Sequence, residues 1–437
     1  MISVRVITLG CSKNRVDTEH LLAQLPAGAY EIRPETDSRP VDVLLINTCG
    51  FIGDAKEESV QTILEAVEAK NAGLAGRLCV FGCLSQRYAA ELPAEIPEVD
   101  AWFGARDLDP IVKWLGAVPD RSKPRYISQP GRGYAYLKIS EGCDRRCSYC
   151  AIPFIRGPHK SVPMEEVVRE ASELAAVGVK ELILIAQDTT YYGLDLYGRR
   201  ALAELLRLLS AIDGIEWIRI HYSYPDDFPE DVLDEMATNP KICKYLDIPL
   251  QHISDNVLSN MRRHVSGAWT RELIARLRAK VPGVVLRTTM IVGHPGESAE
   301  DFNELLEFVQ TAAFERLGAF QYSEEDGTYG ARHFRDDVPP EEKQARYDAL
   351  MTLQNEISSS FNLSRVGALE RVLIDDCVDG VYVCRSQYES PEVDGEILVP
   401  ADAVPAGFEP VVGAFAQVRI TSASDYDLFG EFVATGC

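Results

Sequence analysis

Between residues 134 and 366 the chain repeats one local pattern six times: a short apolar run, then a stretch of helical period. The runs lie near residues 135–140, 181–186, 216–221, 245–250, 284–292 and 316–321, and stretches such as Met164 to Ala176 and Ala299 to Thr311 follow them. Strands that alternate with helices pair in parallel through right-handed crossovers, so this region predicts an incomplete (β/α) barrel. Pro340 opens a further helical stretch, to Phe361, that would lead out of the barrel.

The flanking regions read differently. Residues 1–116 alternate strands Val4 to Leu9, Val41 to Ile46 and Leu78 to Gly82 with helices Val16 to Leu25 and Lys56 to Lys70, which predicts a parallel α/β N-terminal domain. Residues 117–133 carry Pro119, Pro124, Pro130, Gly131 and Gly133 and read as a linker. From 367 to 437 the helical period vanishes. Runs Arg371 to Ile374, Gly380 to Cys384, Glu396 to Val399 and Ala416 to Ile420 alternate with Asp-Gly and Pro/Gly turns, so a small C-terminal antiparallel β-barrel is expected.

Chemistry enters with Cys143, Cys147 and Cys150, directly after the first barrel strand. The spacing Cys-x3-Cys-x2-Cys offers three thiolates to a cubane cluster and no fourth. Ferredoxin-type carriers and structural zinc sites close their coordination, so a three-cysteine loop implies an outside ligand on the open iron. S-adenosylmethionine can chelate that iron through its amino and carboxylate groups, and an electron from the cluster then yields a carbon radical able to attack unactivated C–H bonds. The plain alternative is part of a zinc site or a packed core. With Tyr149 before the last cysteine, the loop resembles the signature of the radical S-adenosylmethionine superfamily.

Cys11, Cys49 and Cys83 each follow the carboxyl end of an expected parallel strand. Such ends share one rim of a sheet, so three thiolates can converge there without a local motif. Pattern alone does not separate that convergence from three unrelated core cysteines. The surrounding words, Gly10 to Glu19, Asn47 to Phe51 and Gly82 to Tyr88, closely resemble the amino-terminal domain of the methylthiotransferase family. Ala151 to Pro158 resembles the family's run after the barrel loop, and the resemblance extends to a terminal barrel of the TRAM type. It implies two 4Fe-4S clusters, a radical-generating one on Cys143, Cys147 and Cys150 and a second on Cys11, Cys49 and Cys83, with S-adenosylmethionine as both radical source and methyl donor. Ser12-Lys13-Asn14 resembles the branch that methylthiolates the β-carbon of an aspartate in a small-subunit ribosomal protein, whereas the tRNA-adenosine branch usually carries Gln-Met-Asn. Methylthiolation of tRNA is the rival reading, and a non-enzymatic iron–sulfur electron carrier or RNA-binding protein is the rival from another class.

A radical must be kept from water, so S-adenosylmethionine is expected among the barrel's strand ends. The candidates are Tyr149, Gln187 and Asp188 after the second strand, Gln251 and His252 after the fourth, and Gly293 to Glu297 after the fifth, where Gly293 and Gly296 would let backbone approach the nucleoside. Ile248 to His252 and Ile291 to Glu297 resemble family motifs; each residue also has an ordinary loop reading. Cys79, Cys243, Cys377, Cys384 and Cys437 have no partner at ligand spacing and are expected to be incidental thiols. No histidine pair suits zinc, and no phosphate-binding loop is present.

Eleven cysteines in 437 residues without a signal segment point to reduced thiols and a cytoplasmic location. No apolar run approaches the roughly 20 residues that cross a bilayer. The net charge of −23 disfavours nucleic acid as direct substrate and favours a basic protein partner, which the resemblance implies is a small-subunit ribosomal protein. From Glu370 onward thirteen acids face three arginines, a net of ten negative charges that would repel tRNA. The one-electron step calls for a donor such as flavodoxin or ferredoxin.

Overall fold

The computed structural model describes residues 1–434; Cys437 lies outside them. The first five strands are β1 (Ile2–Thr8), β2 (Tyr30–Arg33), β3 (Val41–Thr48), β4 (Ala75–Gly82) and β5 (Ala101–Trp102). They form a parallel sheet in the order β2-β1-β3-β4-β5, with helices Ser12–Ala23 and Gly53–Asn71 as crossovers. β3 is buried at every position but one, as a strand covered on both faces must be. Sequence reasoning missed β2 and β5, short edge strands with no clean alternation of burial.

The next strands are β6 (Tyr134–Lys138), β7 (Ser140–Glu141), β8 (Lys160–Ser161), β9 (Glu181–Ile185), β10 (Trp217–Ile220), β11 (Ile242–Asp247), β12 (Val285–Val292) and β13 (Arg316–Gln321). Six of them make a sheet in the order β13-β12-β11-β10-β9-β6, every neighbour parallel and the six in chain order across it, the incomplete barrel read from the repeat. β11 begins and ends about three residues earlier than its apolar run; Pro249 has no N–H for the ladder, and beyond the strand the chain stays beside β12 through single bonds of Ile248 and Gln251. β7 and β8 pair separately as a two-residue antiparallel ladder.

The last strands, β14 (Leu369–Val378), β15 (Val381–Arg385), β16 (Ile397–Pro400), β17 (Phe415–Ala423) and β18 (Leu428–Phe432), close into a barrel in the order β14-β15-β16-β18-β17. The expectation of a wholly antiparallel barrel is corrected in one place, since β16 and β18 pair in parallel. Strand direction cannot alternate all the way around a ring of five. β18 itself was missed, its run broken by Gly430, where a side chain would meet Val418.

This barrel plugs the amino-terminal end of the larger one. Glu181 of β9 accepts from Arg219 of β10 at 2.7 Å and from Arg385 of β15 at 2.8 Å, all three almost fully buried. Glu389 is likewise held by Arg316 and Arg365. The acid count is therefore partly internal: Glu370, Asp375, Asp376, Glu389, Glu392 and Asp394 are consumed in ion pairs. Asp379, Glu396, Asp402, Glu409, Asp425 and Glu431 remain exposed and without ion pairs among the described residues.

Candidate functional site

The loop that carries Cys143, Cys147 and Cys150 is closed at its base by the β7–β8 ladder and strapped to the mouth of the large barrel. Cys143 N donates to Gly157 O at 3.0 Å, Ser148 N to Met261 O at 3.0 Å, and Gly330 N to Ser148 O at 2.7 Å. Ser148 Oγ lies 3.3 Å from His294 Nε2. These contacts hold the three sulfurs at the carboxyl end of the sheet, where parallel α/β folds place their chemistry. Burial pushes the Cys143 thiol up to about 12 and raises Cys150 further. Cys147 Sγ is 3.9 Å from Tyr224 Oη and 4.0 Å from Arg263 Nη1. The Arg263 guanidinium also reaches Tyr149 Oη at 3.4 Å and lies 4.3 Å from the Tyr224 ring centroid.

The second triad is built by the N-terminal sheet. In register, Thr8 of β1 pairs Asn47 of β3, and Thr48 pairs Gly82 of β4, so Cys11, Cys49 and Cys83 leave one rim side by side. Glycines let the loops touch. A Cβ on Gly10, whose φ is +87°, would lie 2.8 Å from Cys49 Cβ and 3.0 Å from its sulfur; one on Gly50 would lie 2.9 Å from the carbonyl carbon of Cys83. Burial pushes the Cys83 thiol up to about 11, against the pull of Arg156, and the Cys11 and Cys49 sulfurs add to the rise. The three sulfurs share one electrostatic environment.

Arg156 links the triads. Its Nε donates to Cys83 Sγ at 3.2 Å, Nη2 to Asn14 Oδ1 at 2.5 Å, and Nη1 to Asp17 at 2.7 Å and Glu141 at 3.2 Å. Lys138 joins Asp17 and Glu141 in the same cluster. Burial works against ionisation of Glu141, but Lys138 and Arg156 hold its carboxyl down at about 2. A buried chain of charge-assisted bonds thus runs from the sulfur of Cys83 to a residue two positions before Cys143. Arg156 falls within the run Ala151 to Pro158 that resembles the family, and that context is its only signal in the sequence.

The expected S-adenosylmethionine contacts divide. Gln187 Nε2 donates to Glu141 at 2.7 Å, which leaves Oε1 buried without a partner. Tyr149 is half-buried beside Arg263. Asp188 is engaged by Arg145 at 3.0 Å. Gln251, at φ +74°, bridges to β12, and the space a side chain would need at Gly293 is taken by Lys343. Glu297 ties the backbone N–H groups of Gly293 and His294, at 2.6 and 3.1 Å, to Arg346, while Gly296 is exposed with its N–H on Asp337. His252 is buried 3.9 Å from Glu297.

The donor chemistry fits cubanes. All six cysteines are free. Six thiols whose burial disfavours bare thiolate at four resolved positions are suited to iron, whose charge offsets that penalty. Among the described residues no three His, Cys, Asp or Glu side chains converge on a single metal ion. A cubane binds each thiolate at a different corner and spaces them more widely. Among the described residues no helix is long and apolar enough to cross a membrane.

Residues 137–309 match the radical SAM superfamily, residues 3–104 the uncharacterized protein family UPF0004, and residues 366–433 the TRAM domain. Among solved structures, the chain is similar to the radical S-adenosylmethionine methyltransferase TsrM from Kitasatospora setae (TM-score 0.56, 13% identity, 87% of this chain and 80% of that one). It is also similar to the cobalamin-dependent radical enzyme OxsB (TM-score 0.51, 14% identity, 82% and 56%). At those identities the likeness is one of fold. Relatives named ribosomal protein uS12 methylthiotransferase RimO are far closer in sequence. That of Porphyromonas gingivalis is 51% identical over 98% of this chain and 99% of its own, and that of Flavobacterium johnsoniae 50% identical over 98% and 97%. With such identity along its whole length, the chain belongs to the RimO family of radical S-adenosylmethionine methylthiotransferases.

Proposed function

We propose that this enzyme replaces a hydrogen on the β-carbon of an aspartate of ribosomal protein uS12 with a methylthio group, using two 4Fe-4S clusters. Cys143, Cys147 and Cys150 hold one cluster and Cys11, Cys49 and Cys83 the other. The observation that carries this reading is the Arg156 chain, which ties Cys83 to Glu141 at the base of the barrel loop and so holds the two cysteine-bearing regions together. When bound, the barrel cluster with S-adenosylmethionine supplies a carbon radical for C–H abstraction and the second cluster supplies sulfur.

The chain's own residues prepare the cleft. Arg263 and Tyr224 sit against the Cys147 sulfur, where a cationic donor stabilises the charge of a ligated thiolate. Arg156 does the same for Cys83 while fixing the distance between rims. The buried Oε1 of Gln187, at the neighbouring strand end to the loop, is an acceptor suited to a donor such as the S-adenosylmethionine ammonium. The exposed acids of the C-terminal barrel favour a basic protein over tRNA as the partner of that surface. Flavodoxin or ferredoxin is the class of reductant such a cluster requires, and a cytoplasmic setting suits both reductant and ribosomal substrate.

The test is to incubate anaerobically reconstituted enzyme separately with uS12 and with tRNA and to measure mass gain. A methylthio adduct on the uS12 aspartate alone is expected. An adduct on tRNA alone overturns the substrate, and two clusters without S-adenosylmethionine cleavage overturn the enzyme reading.

A further inference from the structure

Most cations around the cleft are already engaged. Arg156 and Lys138 share Asp17 and Glu141, Arg145 has Asp188 and Asp226, Arg15 reaches Glu392 at 2.7 Å, and Arg263 donates to Pro249 O and Tyr149. Lys13 differs. It lies on the same helix as Arg15, is only 8% exposed, and has no hydrogen-bond or ion-pair partner among the described residues. Its ammonium instead sits 3.3 Å from the ring centroid of Tyr222.

Tyr222 follows β10 at the carboxyl end of the large barrel. Its backbone is fixed at φ +56°, with its N–H on Asp247 at 3.0 Å and its carbonyl accepting from Thr189 N at 3.1 Å. Lys13 therefore crosses from the N-terminal rim, two residues after Cys11, to the barrel mouth. An aromatic face steadies a cation without neutralising it. An ammonium that ends a largely buried side chain and lacks a counter-charge is completed by an incoming carboxylate, and a carboxylate entering between the two rims needs such a partner.

We propose that Lys13 is a specificity-determining residue that binds the side-chain carboxylate of the substrate aspartate; this rests on the aspartate reading above. The β-carbon is one bond from that carboxylate. Anchoring the carboxylate on a lysine held by Tyr222 therefore fixes the hydrogen to be removed relative to both rims. Asparagine has nearly the same shape and no charge, so it reports on the lysine alone.

The experiment binds two labelled synthetic peptides, spanning the modified uS12 loop with Asp or with Asn at the target, to full-length reconstituted enzyme. Fluorescence anisotropy reads affinity and mass spectrometry reads product. Wild type is expected to bind the Asp peptide roughly 10- to 100-fold more tightly than the Asn peptide. Lys13→Met should abolish that ratio by weakening the Asp peptide alone, with iron and sulfide content as in wild type, and Lys13→Arg should keep part of it. Lys13→Gln is read the same way if the Met variant does not fold. An undiminished ratio, or equal weakening of both peptides, overturns the role of Lys13 and leaves the aspartate reading standing. Wild type that makes no product on the Asp peptide but modifies tRNA overturns both.

Discussion

The barrel triad occupies eight consecutive residues on one strapped loop, whereas the N-terminal triad is gathered from three loops separated by 38 and 34 residues. The first is shaped by local closure, through a two-residue ladder at its base and backbone bonds from Met261 and Gly330. The second exists only because β1, β3 and β4 run parallel in register and because glycines at its turns leave room for neighbouring cysteines. A compact motif can tolerate change elsewhere in the fold. A dispersed one inherits every error in sheet register, so its failures should be structural as well as chemical.

The largest effects should come from separating the triads chemically. Cys147→Ala is expected to reduce 5′-deoxyadenosine formation to the enzyme-free background, because two thiolates cannot hold a cubane with its open corner. Cys49→Ala should retain 5′-deoxyadenosine and lose methylthio product. Chromatography of the nucleoside beside mass analysis of uS12 checks both, and unchanged methylthio product from Cys49→Ala would contradict sulfur delivery from the N-terminal rim.

Breaking the bridge comes next. Arg156→Ala removes the cation between Asp17 and Glu141 and should destabilise the protein by about 3 kcal/mol, since it leaves a buried and a part-buried carboxylate with Lys138 as their remaining cation. Urea unfolding measures this, and a change under 1 kcal/mol would mean the chain does not couple the rims. Gly10→Ala tests the dispersed triad alone. The strained φ and the contact with Cys49 should destabilise by about 1–3 kcal/mol and lower iron retention at that rim, while the barrel cluster's EPR signal persists.

The smallest effect belongs to the barrel side and depends on pH. Burial holds His252 neutral, with its pKa pushed down to about 3, so the unfolded state binds a proton that the folded state refuses. The stabilisation is complete above the unfolded value of about 6.5 and is lost progressively as pH falls from there toward 3. Lowering pH from 7.5 to 5.5 should remove about 1 kcal/mol through this residue. The difference between wild type and His252→Gln in urea midpoints at the two pH values isolates it; equal pH dependence would sink the attribution.

Legibility followed range. The six-fold strand–helix repeat was readable because burial on both faces writes near-continuous apolar runs, as in β9, where all five residues are buried. The barrel cysteines were readable because their ligand geometry is set within a single loop. β2 and β5 left no such trace, being short and at the sheet's outer edge, and the parallel β16–β18 pair follows from ring closure, which no local pattern records. The acid count of the C-terminal region was correct as arithmetic and incomplete as a surface, because arginines from the large barrel and its exit helix neutralise Glu389, Glu370 and Asp394.

By itself the sequence determined the alternation that makes the barrel, the three-thiolate loop and the family words around Cys11, Cys49 and Cys83, all properties that act over a few residues. Tertiary structure alone decided that the loops of Cys11, Cys49 and Cys83 leave one rim of the sheet, that Arg156 ties Cys83 to Glu141 beside the barrel loop, and that Lys13 stands over Tyr222 with its charge unanswered. Those are contacts between distant segments, and their energies depend on burial and mutual distance, which only packing sets.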